Sequence, residues 1–128
     1  MTDAEILKNA RNTLLKLHKG LVDSEREIHE GIHGPLTAGQ FLNVLIEDPG
    51  FSWLRKFSML IVEIDEMFDL KDGQSAEMIT ASLDKVKELA EMREEDEDFK
   101  ARYTYVLQTN PEAAANHAEL KKALAEGR

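Results

Sequence analysis

Cysteine is absent from the 128 residues. That excludes a disulfide framework, a thiolate zinc site, an iron–sulfur cluster and a cysteine nucleophile. Basic residues are in deficit, with 16 Lys and Arg against 25 Asp and Glu for a net charge of −9. A basic face for nucleic acid or an anionic membrane is therefore not expected. No run of 18 apolar residues exists, so no membrane-spanning helix is expected either. The opening MTDAEILKNARN has no basic stretch leading into an apolar one, unlike a signal peptide. Together with the missing cysteine, this predicts a cytoplasmic protein. A phosphate-cradling glycine loop and a GxSxG elbow are missing. His29-Glu30-Gly31-Ile32-His33 has the residue order of HExxH, but the glycine within it and the helix end expected at Gly31 and Gly34 argue against the intact helix that this motif needs.

What is present is a core. Apolar residues make up 42% of the chain, enough to fold, and the length fits one helical domain over 1–128. The pattern is helical nearly throughout. Thr2-Asp3-Ala4-Glu5 has the form of a capping box. After it, Leu7, Ala10, Leu14, Leu17, Leu21, Ile28 and Ile32 recur at three- and four-residue steps. They predict a first helix over about 3–31, some 45 Å long. Gly20 within it suggests close packing or a bend, and Gly31, Gly34 and Pro35 predict its end. Thr37-Ala38-Gly39-Gln40 is a second capping box, opening a short apolar helix to about Asp48. Phe51–Leu70 is the most apolar segment and is expected as one helix at the centre of the fold. Further helices are expected over 75–92, 96–108 and 111–126. Their predicted inner faces are Ala76, Ile79, Leu83, Val86, Leu89 and Ala90, then Phe99, Tyr103, Val106 and Leu107, then Ala114, Ala118, Leu120 and Leu124. Asn110-Pro111 is an N-cap followed by proline at the first helical position. The expected fold is all-α: a single-domain bundle of about six helices with a four-helix-bundle-like core and a long first helix.

Polar residues that interrupt the apolar stripes are the candidate site. His18 and Glu25 sit two turns apart on the seam of the first helix, and buried polar groups need partners. Arg55, Ser58 and Asp65 of the third long helix are candidate partners, with Glu25–Arg55 and His18–Asp65 as candidate pairs. His117, among alanines, is a candidate partly buried histidine at a tight helix crossing. One reading is a hydrogen-bonded network that fixes helix register. The other is a polar pocket for a small ligand or a divalent transition metal. Metal-ligand candidates are His18, Glu25, His29 and His33, the last two sharing a helix face at i, i+4. Di-iron carboxylate bundles need Glu-x-x-His pairs on two helices, and a hemerythrin-like site needs five histidines; the chain has four histidines and meets neither requirement.

Charge is uneven. Residues 1–64 carry 7 basic and 9 acidic residues, net −2, and residues 65–128 carry 9 and 16, net −7. Glu94, Glu95, Asp96, Glu97 and Asp98 form either a solvated turn or an acidic docking surface for a basic partner.

Three segments carry a resemblance. They are His18-Lys19 with Leu21, Asp23, Glu25 and Arg26; Asp48-Pro49-Gly50-Phe51-Ser52-Trp53-Leu54-Arg55; and Tyr105-Val106-Leu107-Gln108 leading to Asn110-Pro111 and His117. Together the chain resembles a family of small bacterial all-helical proteins without an assigned activity. Lys56 stands where that pattern has a proline. The resemblance implies a bacterial helical protein and adds no chemistry. The sequence thus favours a non-enzymatic cytoplasmic interaction or regulatory module, with a protein partner or a homodimer as the candidate assembly. The alternative is a metal- or small-ligand-binding bundle built on His18 and Glu25.

Overall fold

The computed structural model describes residues 1–93 and 96–125. Helix α1 spans Asp3–His33, α2 Ala38–Glu47, α3 Arg55–Phe68, α4 Ala76–Ala90, α5 Glu97–Thr109 and α6 Pro111–Ala125, with a 3-10 helix over Pro49–Leu54 between α2 and α3. The fold is an all-α bundle, as the periodicity predicts.

Helix α1 is the spine, packing against α6, α3, α4, α5 and the 3-10 segment. Its N-terminus is capped by Thr2, whose hydroxyl accepts the Glu5 N–H at 3.2 Å. Of the expected capping box, this threonine half is the part formed among the described residues. The box at Thr37 is complete: Thr37 Oγ1 accepts from Gln40 N, and Gln40 Oε1 accepts from Thr37 N. Helix α1 does not stop at Gly31. It continues through His33 and closes at Gly34, which adopts φ 93° and bonds back to the Glu30 carbonyl at 2.8 Å. Only at such a φ is glycine's missing Cβ required. Gly20 is not a close-packing site, since a Cβ there would meet nothing within 4 Å.

Two further expectations are corrected. The Phe51–Leu70 segment is not one helix. Pro49 follows the turn at Asp48, whose carboxylate accepts the Gly50 N–H at 2.8 Å. This tightens the chain into a 3-10 turn that buries Phe51, Trp53 and Leu54 together. Nor is α3 central. It buries Phe57, Leu60, Ile61, Ile64 and Met67 but leaves Met59 64% exposed and Val62 exposed. On α6 the inner stripe is Ala113, Leu120 and Leu124, with His117 in the same register, rather than Ala114 and Ala118.

Helix α6 runs antiparallel to α1. Glu119 faces Lys16 at 4.0 Å, Leu124 shares a crevice with Asp3 and Ile6, and Glu112 acts on Lys19. Helix α6 therefore begins roughly level with Lys19, and the last turns of α1 run past it. Leu7, Leu14 and Leu21 are wholly buried, whereas Ile28 and Ile32, next on the same stripe, are 39% and 72% exposed. The sequence counts all five as core, because periodicity cannot tell where the covering helices end.

Candidate functional site

Four rings make the heart of the bundle. Phe57 of α3 lies 5.3 Å from Tyr103, 5.9 Å from Phe99 and 6.2 Å from Trp53, centroid to centroid. The edge-on pairs Phe57–Tyr103, Phe57–Trp53 and Phe99–Tyr103 use the favourable ring geometry. Aromatic residues are scarce in this chain, and half of them are spent here.

Polar groups ring this cluster. The Tyr103 hydroxyl is hydrogen-bonded to His117 Nδ1 at 2.6 Å. Burial raises the Tyr103 pKa, so the hydroxyl keeps its proton and donates. Burial lowers the His117 pKa, and Lys121 lowers it further, so the neutral ring accepts at Nδ1. His18 lies against Phe57 with ring centroids 6.4 Å apart, and burial lowers its pKa too.

The two histidines give a pH prediction with a definite sign. Each has a folded-state pKa below its unfolded value near 6.5. Their contribution to stability is present above pH about 6.5 and is lost as the pH falls from there toward the folded values, at up to about 1.4 kcal/mol per pH unit for each. Melting temperature is expected to fall between pH 6.5 and 5, with a shallower fall in His117→Gln. An identical slope in the variant would remove His117 from the account.

Glu25, one turn past the buried Leu21, has a side chain only 12% exposed. Burial raises its pKa, Arg102 of α5 opposes the rise, Asp98 adds to it, and the Trp53 indole opposes it weakly. The Arg102 guanidinium lies 4.0 Å from Glu25, donates to the Gly50 carbonyl at 2.9 Å and pairs with Asp98 at 3.0 Å. One side chain thus ties α1, the 3-10 turn and α5. Among the described residues the buried Trp53 N–H has no hydrogen-bond partner. The acceptor it influences is the Glu25 carboxylate, but the approach falls short of hydrogen-bond geometry.

The other candidates are placed elsewhere. Glu25 pairs with Arg102, not Arg55, which is exposed and bonds the Ile46 carbonyl. Asp65 does not meet His18; it takes a two-pronged bond from Arg11, both distances 2.8 Å. Ser58 bonds the Arg55 carbonyl within its own helix at 3.2 Å. His29 lies edge-on to Phe51 at 5.7 Å, and the exposed His33 is 4.5 Å from His29 by ring centroids. His18, Glu25, His29 and His33 cannot share one ion, because fifteen residues of straight helix separate the end members by about 22 Å. Among the described residues no three His, Asp or Glu side chains could hold a metal.

In the acidic stretch, Glu94 and Glu95 lie outside the described residues. Asp96 caps α5, accepting the Phe99 N–H at 3.1 Å, and pairs with Lys56 at 3.4 Å. These bonds, the backbone one first, lower its pKa. Glu97 pairs with Lys100 and Asp98 with Arg102. The described part of the cluster thus serves the start of a helix, where negative charge is favoured. Arg102, Trp53 and Tyr103 are the site residues that sequence reasoning missed. Of these, Arg102 had a signal, the i, i+4 spacing to Asp98.

No family model matches the chain, and no curated protein or solved structure is significantly similar to it. No helix among the described residues is long and apolar enough to cross a membrane.

Proposed function

We propose that the protein is a non-enzymatic, cytoplasmic helical interaction module that pairs with a second copy of itself through the free end of α1. The observation that carries this reading is the core stripe of α1 continuing past its covering helices. Ile28 and Ile32 repeat the spacing of Leu14 and Leu21 but face solvent. A stripe that takes helices along its first two thirds is shaped to take a helix along its last. A second copy supplies one with the same two isoleucines, so an isologous pairing uses one patch twice. It also joins the halves of the chain carrying net −2 rather than −7, which keeps repulsion low. Ile28 and Ile32 are 39% and 72% exposed, so covering the four side chains contributes roughly 3–7 kcal/mol in all. After the cost of association this leaves a weak dimer, populated only at high protein concentration.

The absence of native cysteine makes the test clean. Ile32→Cys is expected to form a disulfide-linked dimer under mild oxidation, since bridging needs Cα atoms within about 7 Å. Met78→Cys, exposed on α4, is expected to stay monomeric under the same conditions. Equal cross-linking of both would count against the pairing. A second reading, a metal- or small-ligand pocket around His18 and Glu25, is favoured only by the Trp53 N–H beside Glu25, which has no hydrogen-bond partner among the described residues.

A further inference from the structure

We propose that His29 and His33 form a two-histidine site for a divalent transition-metal ion, Cu²⁺ or Zn²⁺, on the last turn of α1. Their spacing predicts a shared face only if the helix is intact there, and the glycines at 31 and 34 argue against that from sequence. In the structure α1 runs through His33, and Gly34 closes it onto Glu30. The rings stand 4.5 Å apart, tilted by 40°. Two imidazoles on one tetrahedral ion, with metal–nitrogen bonds of about 2.0–2.1 Å, stand roughly 5 Å apart. A few tenths of an ångström of opening admits the ion.

The histidine hydrogen bond found among the described residues is that of His117, so no bond of His29 or His33 must break. His29 is held against Phe51 at 5.7 Å, which fixes one ligand in place. Glu30, between the two histidines, is not a third ligand. Its Oε1 takes the Arg26 N–H at 2.7 Å and its Oε2 the Leu36 N–H at 3.2 Å. The ion keeps water in its remaining positions, and an imidazole-only set prefers Cu²⁺ to Zn²⁺. The site is complete within one chain and does not rest on the pairing of α1 ends.

The test is a Cu²⁺ titration of the full chain by calorimetry, with electron paramagnetic resonance to count nitrogen ligands. The wild type is expected to bind one ion with two nitrogens. His33→Ala is expected to lose about a hundredfold in affinity, the gain that chelation by a second tethered ligand gives, and to show one nitrogen. His33 is exposed, so the metal-free melting temperature of this variant is expected to be unchanged. His18→Ala and His117→Ala are expected to bind as the wild type does. Ile32→Lys, which blocks pairing, is expected to bind too, so failure of the dimer leaves this site standing. Unchanged affinity in His33→Ala, or loss of binding in His18→Ala, would overturn the assignment.

Discussion

Phe57→Ala is expected to destabilise the fold by about 3–5 kcal/mol, the cost of emptying a closed aromatic site. Phe57 is fully buried, and the rings of Trp53, Phe99, Tyr103 and His18 all lie within 6.4 Å of its own. These neighbours come from α1, the 3-10 turn and α5, so no single element can shift to fill the void. Against a total stability of about 5–15 kcal/mol, the variant stands at the edge of unfolding at 37 °C. Met59→Ala, two residues along the same helix but 64% exposed, is expected to change stability by less than about 0.5 kcal/mol. Urea unfolding of the two variants is the check. A Phe57→Ala cost below about 1 kcal/mol would mean that the aromatic cluster does not hold these elements together.

Arg102→Ala is expected to cost about 2–3 kcal/mol at pH 7. The Asp98 contact is exposed and contributes little to that figure. Most of it comes from the Gly50 carbonyl, which loses its donor, and from the largely buried Glu25 carboxylate, left without its cation. Glu25 sets the pH dependence. Its folded pKa is raised above the unfolded value, so the stability it contributes is present below pH about 4.5 and is lost as the pH rises through the folded pKa. At pH 7 its charge is a burden that Arg102 lightens. Glu25→Gln is therefore expected to be neutral or stabilising at pH 7 and to recover about 1 kcal/mol of the Arg102→Ala loss. At pH 4, with Glu25 protonated, the two substitutions are expected to act independently. Coupling that persists unchanged at pH 4 would mean that Arg102 acts through Gly50 alone.

Elements that depend on neighbours in sequence were legible before the fold. The Thr37–Gln40 box, the Asn110-Pro111 start of α6 and the choice of one tyrosine from 103 and 105 for the core all follow from spacing. What spacing could not show was which helices meet. Glu25 was readable as a buried acid on the seam, but the sequence pointed to Arg55 as its cation, and Arg102 is identified only by the place of α5 beside the 3-10 turn. Asp65 looked like a partner for His18, yet it is taken by the bidentate donor Arg11, two helix turns before His18 on α1. The 3-10 turn was hidden because Phe51, Trp53 and Leu54 are apolar at intervals that an α-helix would also accept. Ile28 and Ile32 show the limit most clearly. Their periodicity is that of the core, and only the start of α6 near Lys19 separates a buried stripe from a free one.

That free stripe is the central claim, and sedimentation velocity across about 10 µM to 1 mM tests it most directly. The wild type is expected to move from monomer toward dimer over that range, and Ile32→Lys, altered at a side chain 72% exposed, to remain monomeric with an unchanged melting temperature. A wild type that stays monomeric at 1 mM, or a dimer that Ile32→Lys leaves intact, would contradict it.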